Sequence, residues 1–238
     1  MSTSEWQAQT LPLTARSVPA PGTLEVWLCN IAAMPLQAGP EGSGRREQVL
    51  RRRIQQQFLL RLLLGSYLDR PGKNLRLVRG EHGKPALASG QSTGGLQFNL
   101  SHSGDWLALA FGSGAGVGID IEVHRTLRRA GDLARRYLPA PEADWLNGLQ
   151  EPERSRAFIA QWTAREALVK ARGSSLAQSV AGLALDWSPT RIAALPPGWP
   201  AVEQWTLMAP ATPAELSLHI ASPEPGLSGQ LFHLELAG

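Results

Sequence analysis

The chain has 238 residues, of which 43% are hydrophobic and 18% are charged. This length and balance suit one large or two small globular domains, and they exclude a disordered chain, a coiled coil and a collagen-like repeat. The formal net charge is only +3, and just three of the 23 basic residues are lysines, namely Lys73, Lys84 and Lys170. The single cysteine, Cys29, excludes an internal disulfide and a cysteine-rich zinc site.

The N-terminal residues carry no basic segment followed by an apolar run, so the sequence predicts no secretory signal. The most apolar stretch, residues 58–64, contains Arg61 and is too short to span a bilayer. We therefore expect a soluble cytoplasmic protein that makes no contact with a membrane.

Prolines are concentrated at the two ends of the chain, with five of the 18 in residues 1–40 and eight in residues 189–225. Because proline lacks an amide hydrogen and fixes φ, both ends are predicted to form loops and short edge strands. Weaker strand patterns cover residues 183–187, 203–208 and 215–221.

The first strong helical pattern covers residues 45–64. Apolar residues recur every four positions, which predicts an amphipathic helix with these residues on its apolar face. They are Leu50, Ile54, Phe58 and Leu62, with Leu59 and Leu63 alongside. Residues 45–79 carry ten basic and two acidic residues, a local charge of +8 that suits a nucleotide or an acidic protein. A solvated arginine-rich helix face is the alternative. We do not expect nucleic acid, because the stretch contains no interleaved aromatic residues and no RNP-like motif.

Three strands are predicted in the middle of the chain. Residues 96–100 and 106–111 are the first two, and a glycine-rich turn leads to the third, residues 117–123. Alternation along the third strand places Asp120 and Glu122 on one face and four aliphatic residues on the other.

Two carboxylates on one strand face repel each other and resist burial unless a cation lies between them. Mg²⁺ would satisfy such a pair, and two solvated acids on an exposed face are the alternative. A second helix, predicted over residues 154–172 and ending at Gly173, places Glu166 one turn before Lys170. Glu166 is either a third metal carboxylate or the partner of Lys170 in an ordinary helix-surface pair.

A Ser-His-Ser sequence, residues 101–103, follows the first predicted strand. It lacks a Gly-x-Ser-x-Gly elbow, and neighbouring strand residues point to opposite sides, so it does not predict a hydrolase dyad. Two interpretations remain, namely anion binding by Ser101, His102 and loop amides, or a plain polar loop.

Four segments occur in order along the middle of the chain: 83–85 (GKP), 98–103 (FNLSHS), 118–122 (GIDIE) and 158–173 (FIAQWTAREALVKARG). Together they closely resemble the 4′-phosphopantetheinyl transferases of the surfactin-synthetase-activating type, from about residue 80 to residue 175.

The resemblance implies an α+β pseudo-dimer of two similar halves, residues 1–117 and 118–238. Each half would be a helix packed on a small sheet, with the active site in the cleft between them. It also implies that coenzyme A (CoA) and Mg²⁺, or Mn²⁺, bind there. The 4′-phosphopantetheine arm of CoA would then be transferred to a serine of an apo acyl or peptidyl carrier protein, giving holo carrier protein and 3′,5′-ADP. A monomer is expected.

The resemblance further implies roles for particular residues. Positions that match the family's metal carboxylates are Asp120, Glu122 and Glu166. Positions that match its CoA-binding residues are Arg52, Lys84, Ser101, His102 and Lys170. The residues expected to take part in catalysis are Glu142, Glu166 and Lys170. Glu142 matches the acid proposed as the base in the family, and Glu122 acting through a metal-bound water is the alternative. Arg165 is a departure, because the family usually has lysine there.

An arginine-rich segment directly follows the predicted Asp120/Glu122 strand and is a candidate docking surface for an acidic carrier protein. Its basic residues are Arg125, Arg128, Arg129, Arg135 and Arg136. A solvated loop and helix is the alternative interpretation.

Two other functions stay open, namely an inactive nucleotide- or carrier-binding module and a metal-dependent nucleotide diphosphate hydrolase. Turnover of CoA without a carrier would favour the hydrolase.

Overall fold

The structure, a computed structural model, describes residues 5–34, 44–80, 83–175, 179 and 182–236. Its helices are α1 (Arg45–Leu68), α2 (Ala130–Tyr137), α3 (Ala140–Gly148) and α4 (Glu153–Arg172). Its strands are β1 (Trp6–Thr10), β2 (Thr23–Asn30), β3 (Leu77–Arg79), β4 (Pro85–Leu87), β5 (Leu96–Ser103), β6 (Trp106–Ser113), β7 (Gly118–Val123), β8 (Ala184–Leu185), β9 (Ile192–Ala194), β10 (Thr206–Met208), β11 (Leu216–Ser222) and β12 (Ser228–Glu235). The predicted α+β class is confirmed. No helix within the described ranges is long and apolar enough to cross a membrane.

Two sheets form the body of the fold. The first has the strand order β1-β12-β2-β6-β5, and the second has the order β10-β11-β7. Strand β12 runs parallel to β1 and β2, whereas the other pairs in these two sheets are antiparallel. Alternation along β2 places Trp27 in the core with α1 and Val26 in the core with Ile119 of β7. Helix α4 packs on the second sheet through a further core that includes Ala167 and Ala221. The layers are therefore α1, the first sheet, the second sheet and α4.

The helix predicted over residues 45–64 is confirmed as α1, but its predicted apolar face is only partly buried. Leu59 and Leu63 are buried as predicted, whereas Leu50, Ile54 and Phe58 are 57%, 53% and 50% exposed. The buried side chains lie mostly in the C-terminal half of the helix, and they are Gln55, Gln56, Leu59, Leu60, Leu63, Leu64, Tyr67 and Leu68. The physical reason is that only the later turns of α1 pack on the first sheet, while residues 45–50 are all exposed.

The expectation of loops and short edge strands at the two ends is only partly confirmed. Strand β1 lies at an edge, but β2 is an eight-residue strand between β12 and β6. Strand β12, which was not predicted, hydrogen-bonds to both β1 and β2. The last strand of the chain thus completes the sheet that α1 covers. The division of the chain at residues 117 and 118 stays a prediction.

The elements predicted in the middle of the chain are confirmed. Strands β5, β6 and β7 and helix α4 lie within three residues of their predicted bounds. Gly173 caps α4 with a φ of 72°, the left-handed conformation that favours glycine. Of the weaker C-terminal patterns, β8, β10 and β11 each overlap one.

Candidate active site

Side chains rather than backbone pairing join β5 to β7, which belong to different sheets. Asn99 Oδ1 accepts a hydrogen bond from the Ile119 amide at 3.0 Å. Ser101 Oγ donates to Asp120 Oδ1 at 2.7 Å, and Ser103 Oγ donates to Glu122 Oε2 at 2.8 Å. Odd-numbered residues of β5 share one face, so a single strand orients both carboxylates of β7.

Gly118 permits the close approach of β7 to α4. A Cβ atom at this position would lie 2.0 Å from the carbonyl oxygen of Ala167 and 2.3 Å from the amide nitrogen of Ala171. Real Cβ atoms do not approach backbone atoms so closely, so a side chain here would push the helix away. The close approach brings Lys170 of α4 to Asp120.

Lys170 is the centre of a group of polar side chains, here called the Lys170 cluster, that includes Ser101, Asp120, Glu122 and Glu166. Its Nζ donates to Asp120 Oδ1 at 2.6 Å, to Ser101 Oγ at 3.2 Å and to the carbonyl of Ile119 at 3.3 Å. Asp120 is buried, while the Lys170 side chain is 28% exposed. The lysine therefore holds a positive charge at the site while it neutralises the buried carboxylate.

The predicted metal carboxylates lie close enough to influence one another's ionisation. Burial raises the pKa of Asp120, against the opposing effects of Lys170 and Ser101. Burial also raises the pKa of Glu166, and the negative charges of Asp120 and Glu122 act in the same direction. Arg125 Nη1 donates to Glu122 Oε2 at 2.8 Å, so the third carboxylate is neutralised by an arginine.

This concentration of negative charge is the chemistry that a hard divalent cation relieves, and carboxylate oxygens are the ligands such a cation prefers. Within the described part of the chain, however, no group of three or more His, Cys, Asp or Glu side chains is arranged to hold a metal ion. Lys170 and Arg125 occupy the positions beside two of the three carboxylates. The three carboxylates are suitable ligands for a metal ion. In this structure the positive charges of Lys170 and Arg125 stabilise two of them.

Lys84 contacts the backbone of α4 at Lys170 and the backbone just before β7. Its Nζ donates to the carbonyl of Val117 at 2.9 Å and to the carbonyl of Lys170 at 3.2 Å. Burial lowers the pKa of Lys84 to about 8, and the charge of Lys170 adds to this effect. Among the described residues, Asp120 is the carboxylate hydrogen-bonded to one of these two neighbouring ammonium groups, and a second concentrated positive charge beside it can attract an anion.

The remaining predicted CoA residues are His102 on β5 and Arg52 on α1, and His102 lies within electrostatic range of both Arg52 and Lys170. His102 is exposed, unlike Ser101, as the alternation along β5 predicts. Burial of its ring lowers the pKa of His102, and Lys170 adds to this effect. Arg52 Nε donates to Asp105 Oδ1 at 2.8 Å in the turn that follows β5.

Glu142, the predicted base, has different neighbours. It lies on α3 and is 4% exposed, and it forms an ion pair with Arg165, which is 0% exposed. Its Oε1 also accepts a hydrogen bond from the Leu185 amide at 2.9 Å. Arg165 donates further to the carbonyl and the side chain of Gln161. These contacts fix α4 to α3 and β8, and none of them includes a residue of the Lys170 cluster.

Sequence reasoning missed two groups that organise this region. Asn99 and Ser103 bind β7, and the small polar residues at every second position of β5 were the available signal. The Glu142–Arg165 pair had no signal, because 23 residues separate its members.

Comparison with known proteins identifies the family. A sequence model described as "4′-phosphopantetheinyl transferase superfamily" matches residues 116–212, and one described as "4′-phosphopantetheinyl transferase, N-terminal" matches residues 46–113. The 4′-phosphopantetheinyl transferase AcpT of Escherichia coli K12 is 35% identical over 145 residues, which cover 61% of this chain and 72% of that protein. This chain belongs to the 4′-phosphopantetheinyl transferase family.

Other members of the family are similar over shorter shares of their length. The 4′-phosphopantetheinyl transferase HetI of Nostoc sp. PCC 7120 is 31% identical over 147 residues, 61% of this chain and 62% of HetI. The 4′-phosphopantetheinyl transferase gsp of Aneurinibacillus migulanus is 28% identical over 120 residues, 50% of this chain and 47% of that relative. The chain thus spans less than two thirds of these two relatives, and the segments that first indicated this transferase family include every residue of the Lys170 cluster.

Proposed function

We propose that this transferase moves the 4′-phosphopantetheine arm of CoA to a serine of an apo acyl or peptidyl carrier protein. The observation that carries the proposal is the contact of Lys170 with Asp120 and Ser101, beside Glu122 and Glu166. This combination supplies both positive charge for a diphosphate and carboxylates for a divalent cation. We also propose that the two helix-on-sheet layers are the halves of a pseudo-dimer and that the protein acts as a cytoplasmic monomer.

The reaction needs electrostatic stabilisation more than covalent chemistry. The serine oxygen of the carrier forms a bond to the β-phosphorus of CoA, and the bond from that phosphorus to the oxygen bridging to 3′,5′-ADP breaks. The leaving nucleotide carries away the electron pair, and the serine proton passes to a base. Lys170 stabilises the diphosphate charge as this bond breaks, while Lys84, Ser101, His102 and Arg52 hold the nucleotide end.

We propose that Asp120, Glu122 and Glu166 bind Mg²⁺, or Mn²⁺. When bound, the cation would neutralise and orient the diphosphate oxygens. The chain's own contribution is to hold these carboxylates in place. Lys170 and Ser101 hydrogen-bond to Asp120, and Arg125 and Ser103 hydrogen-bond to Glu122.

Glu122 is the better supported of the two candidates for the base. Both oxygens of Glu142 are engaged by Arg165 and by the Leu185 amide, and the side chain is 5% exposed. The Glu122 side chain is 27% exposed and lies beside Asp120 on β7. A serine hydroxyl can therefore approach Glu122, directly or through water, whereas Glu142 is enclosed.

Replacing Lys84 by methionine is expected to raise the Kd of CoA about tenfold or more at pH 7, because a charged hydrogen-bond donor to phosphate is lost. The pKa of Lys84 near 8 adds a pH dependence. Above pH 8 the wild-type lysine loses its proton, so the wild-type Kd should rise toward that of the variant. Isothermal titration between pH 6.5 and 9.5 measures both effects, and equal Kd values at pH 7 would contradict the phosphate role.

We propose that the arginine-rich segment after β7 binds the acidic carrier protein. Arg129 and Arg135 both pair with Asp132, while Arg128 is exposed in the turn that precedes α2. Substituting glutamate at Arg128 and Arg129 together is expected to raise the carrier KM about tenfold, with the Kd of CoA unchanged. An unchanged carrier KM would contradict this surface.

The proposed function is tested by incubating the protein with CoA, MgCl₂ and one of three apo carriers, followed by intact mass spectrometry of the carrier. A fatty-acid acyl carrier protein, a polyketide acyl carrier domain and a peptidyl carrier domain cover the carrier classes. We expect at least one to gain the mass of a single phosphopantetheine on its serine. No mass gain on any carrier would contradict the proposal.

A further inference from the structure

Helix α1 exposes an unusual row of large apolar side chains. Leu50, Ile54 and Phe58, here called the apolar stripe, are each at least 50% exposed. They recur every four residues and so form one continuous ridge, about 12 Å long at 1.5 Å per residue. Seven large apolar side chains are exposed among the described residues. Four of them belong to α1, namely the three of the apolar stripe and Val49. Such concentration marks a surface that another molecule covers.

The apolar stripe lies on a part of α1 that extends beyond the first sheet. Every residue from 45 to 50 is exposed, so the first turns of the helix have no core beneath them. Arg52, on the opposite side of the helix, binds Asp105 at 2.8 Å. Asp105 is two residues from Ser103, which binds Glu122 of the candidate active site. The projecting end of α1 is therefore attached to the rim of the candidate site.

Charge distinguishes between possible partners of the apolar stripe. Arg46 and Arg53 are exposed, and their positions four residues before and three residues after Leu50 make them its direct neighbours on the helix surface. Glu47, three residues before Leu50, is an exposed acidic neighbour, so these three side chains together carry a charge of +1. A second copy of this chain, packed stripe to stripe, would bring these arginines toward one another. An acidic helix with an apolar face would instead pair its carboxylates with them.

We propose that the apolar stripe, together with Arg46 and Arg53, docks an acidic amphipathic helix of the apo carrier protein. The inference rests on the proposed function and adds to it a second contact surface, on the α1 side of the site rather than after β7. A helix of two to three turns matches the length of the stripe. Its apolar residues cover Ile54 and Phe58 while its acids face the arginines.

The test compares matched surface variants in the transfer assay, with the carrier that the wild type modifies best. Ile54→Ser with Phe58→Ser removes apolar area, and Val78→Ser, at a side chain 49% exposed on β3, is its control. Arg46→Glu with Arg53→Glu reverses the charge, and Arg70→Glu, at another exposed arginine, is its control. Thermal melting and the Kd of CoA establish that each variant is folded with an intact nucleotide site.

Both stripe variants are expected to raise the carrier KM about tenfold, with kcat and the Kd of CoA unchanged, while both controls behave as wild type. The charge-reversed variant should also lose the rise in KM that NaCl causes in the wild type. Wild-type KM values in both stripe variants would overturn the inference but leave the proposed function standing. A wild-type dimer in sedimentation that the Ile54→Ser/Phe58→Ser variant abolishes would assign the stripe to self-association and also overturn it. If the wild type modifies no carrier, the proposed function fails, and the inference fails with it.

Discussion

Substituting asparagine for Asp120 is expected to lower kcat/KM for phosphopantetheine transfer about 10²–10³-fold, the size of effect seen when one preorganised electrostatic group is removed from an active site. Asparagine has nearly the same shape, so Ser101 can still donate to its amide oxygen. The negative charge that pairs with Lys170 at 2.6 Å is lost, and with it one of the three proposed metal carboxylates. Transfer rates at several carrier concentrations measure the change.

The fold should tolerate this substitution. Asparagine removes the cost of burying the Asp120 charge, and Lys170, whose side chain is 28% exposed, can be solvated by water once its partner is gone. Glu203→Gln, which neutralises an exposed carboxylate, is the control and should transfer at the wild-type rate. If Asp120→Asn turns over as fast as Glu203→Gln at equal MgCl₂, the cluster described above is not the active site.

Replacing Glu142 by glutamine is expected to lower the free energy of unfolding by about 3–5 kcal/mol, because Arg165 is then left buried without a counter-charge. Arg165→Met should cost a similar amount by leaving the carboxylate alone. Both side chains are almost fully enclosed, so solvent cannot compensate. The double substitution should cost clearly less than the two single changes combined. Urea unfolding of the four proteins measures this coupling.

The same variants separate a structural Glu142 from a catalytic one. If Glu142 acts only by fixing α4 to α3, folded Glu142→Gln at low temperature should keep most of its kcat. A general base contributes about 10²–10⁴-fold, so loss of kcat on that scale with near-native stability would restore Glu142 as the base. Glu122→Gln is the matched comparison, because we expect that variant to lose kcat while it remains folded.

The local sequence pattern was sufficient to predict a helix or strand that packs against its neighbours along its whole length. The alternation of β7 and the periodicity of α4 predicted both elements, since each is covered by a neighbouring layer throughout. The same reasoning failed for part of α1, because the first turns of that helix do not pack on the sheet and leave Leu50, Ile54 and Phe58 exposed. Strands β2 and β12 were missed, and their pairing with each other joins segments about 200 residues apart in the chain.

The candidate site shows the same limit. The motif residues Asp120, Glu166 and Lys170 could be named from their segments, and the structure brings all three together. What the segments could not predict is which side chain binds which. The Asn99 and Ser103 contacts to β7 depend on how two sheets meet, and the Glu142–Arg165 pair depends on how two helices meet. Such pairings follow from tertiary packing rather than from local sequence.

We propose that this protein transfers phosphopantetheine rather than merely cleaving or binding CoA. The most direct measurement quantifies 3′,5′-ADP and holo carrier protein in the same reaction, with and without the apo carrier, in the presence of MgCl₂. We predict equal amounts of the two products when the carrier is present, and no 3′,5′-ADP when it is omitted. Release of 3′,5′-ADP without a carrier would contradict transfer and indicate a diphosphate hydrolase, and absence of both products would indicate a binding module.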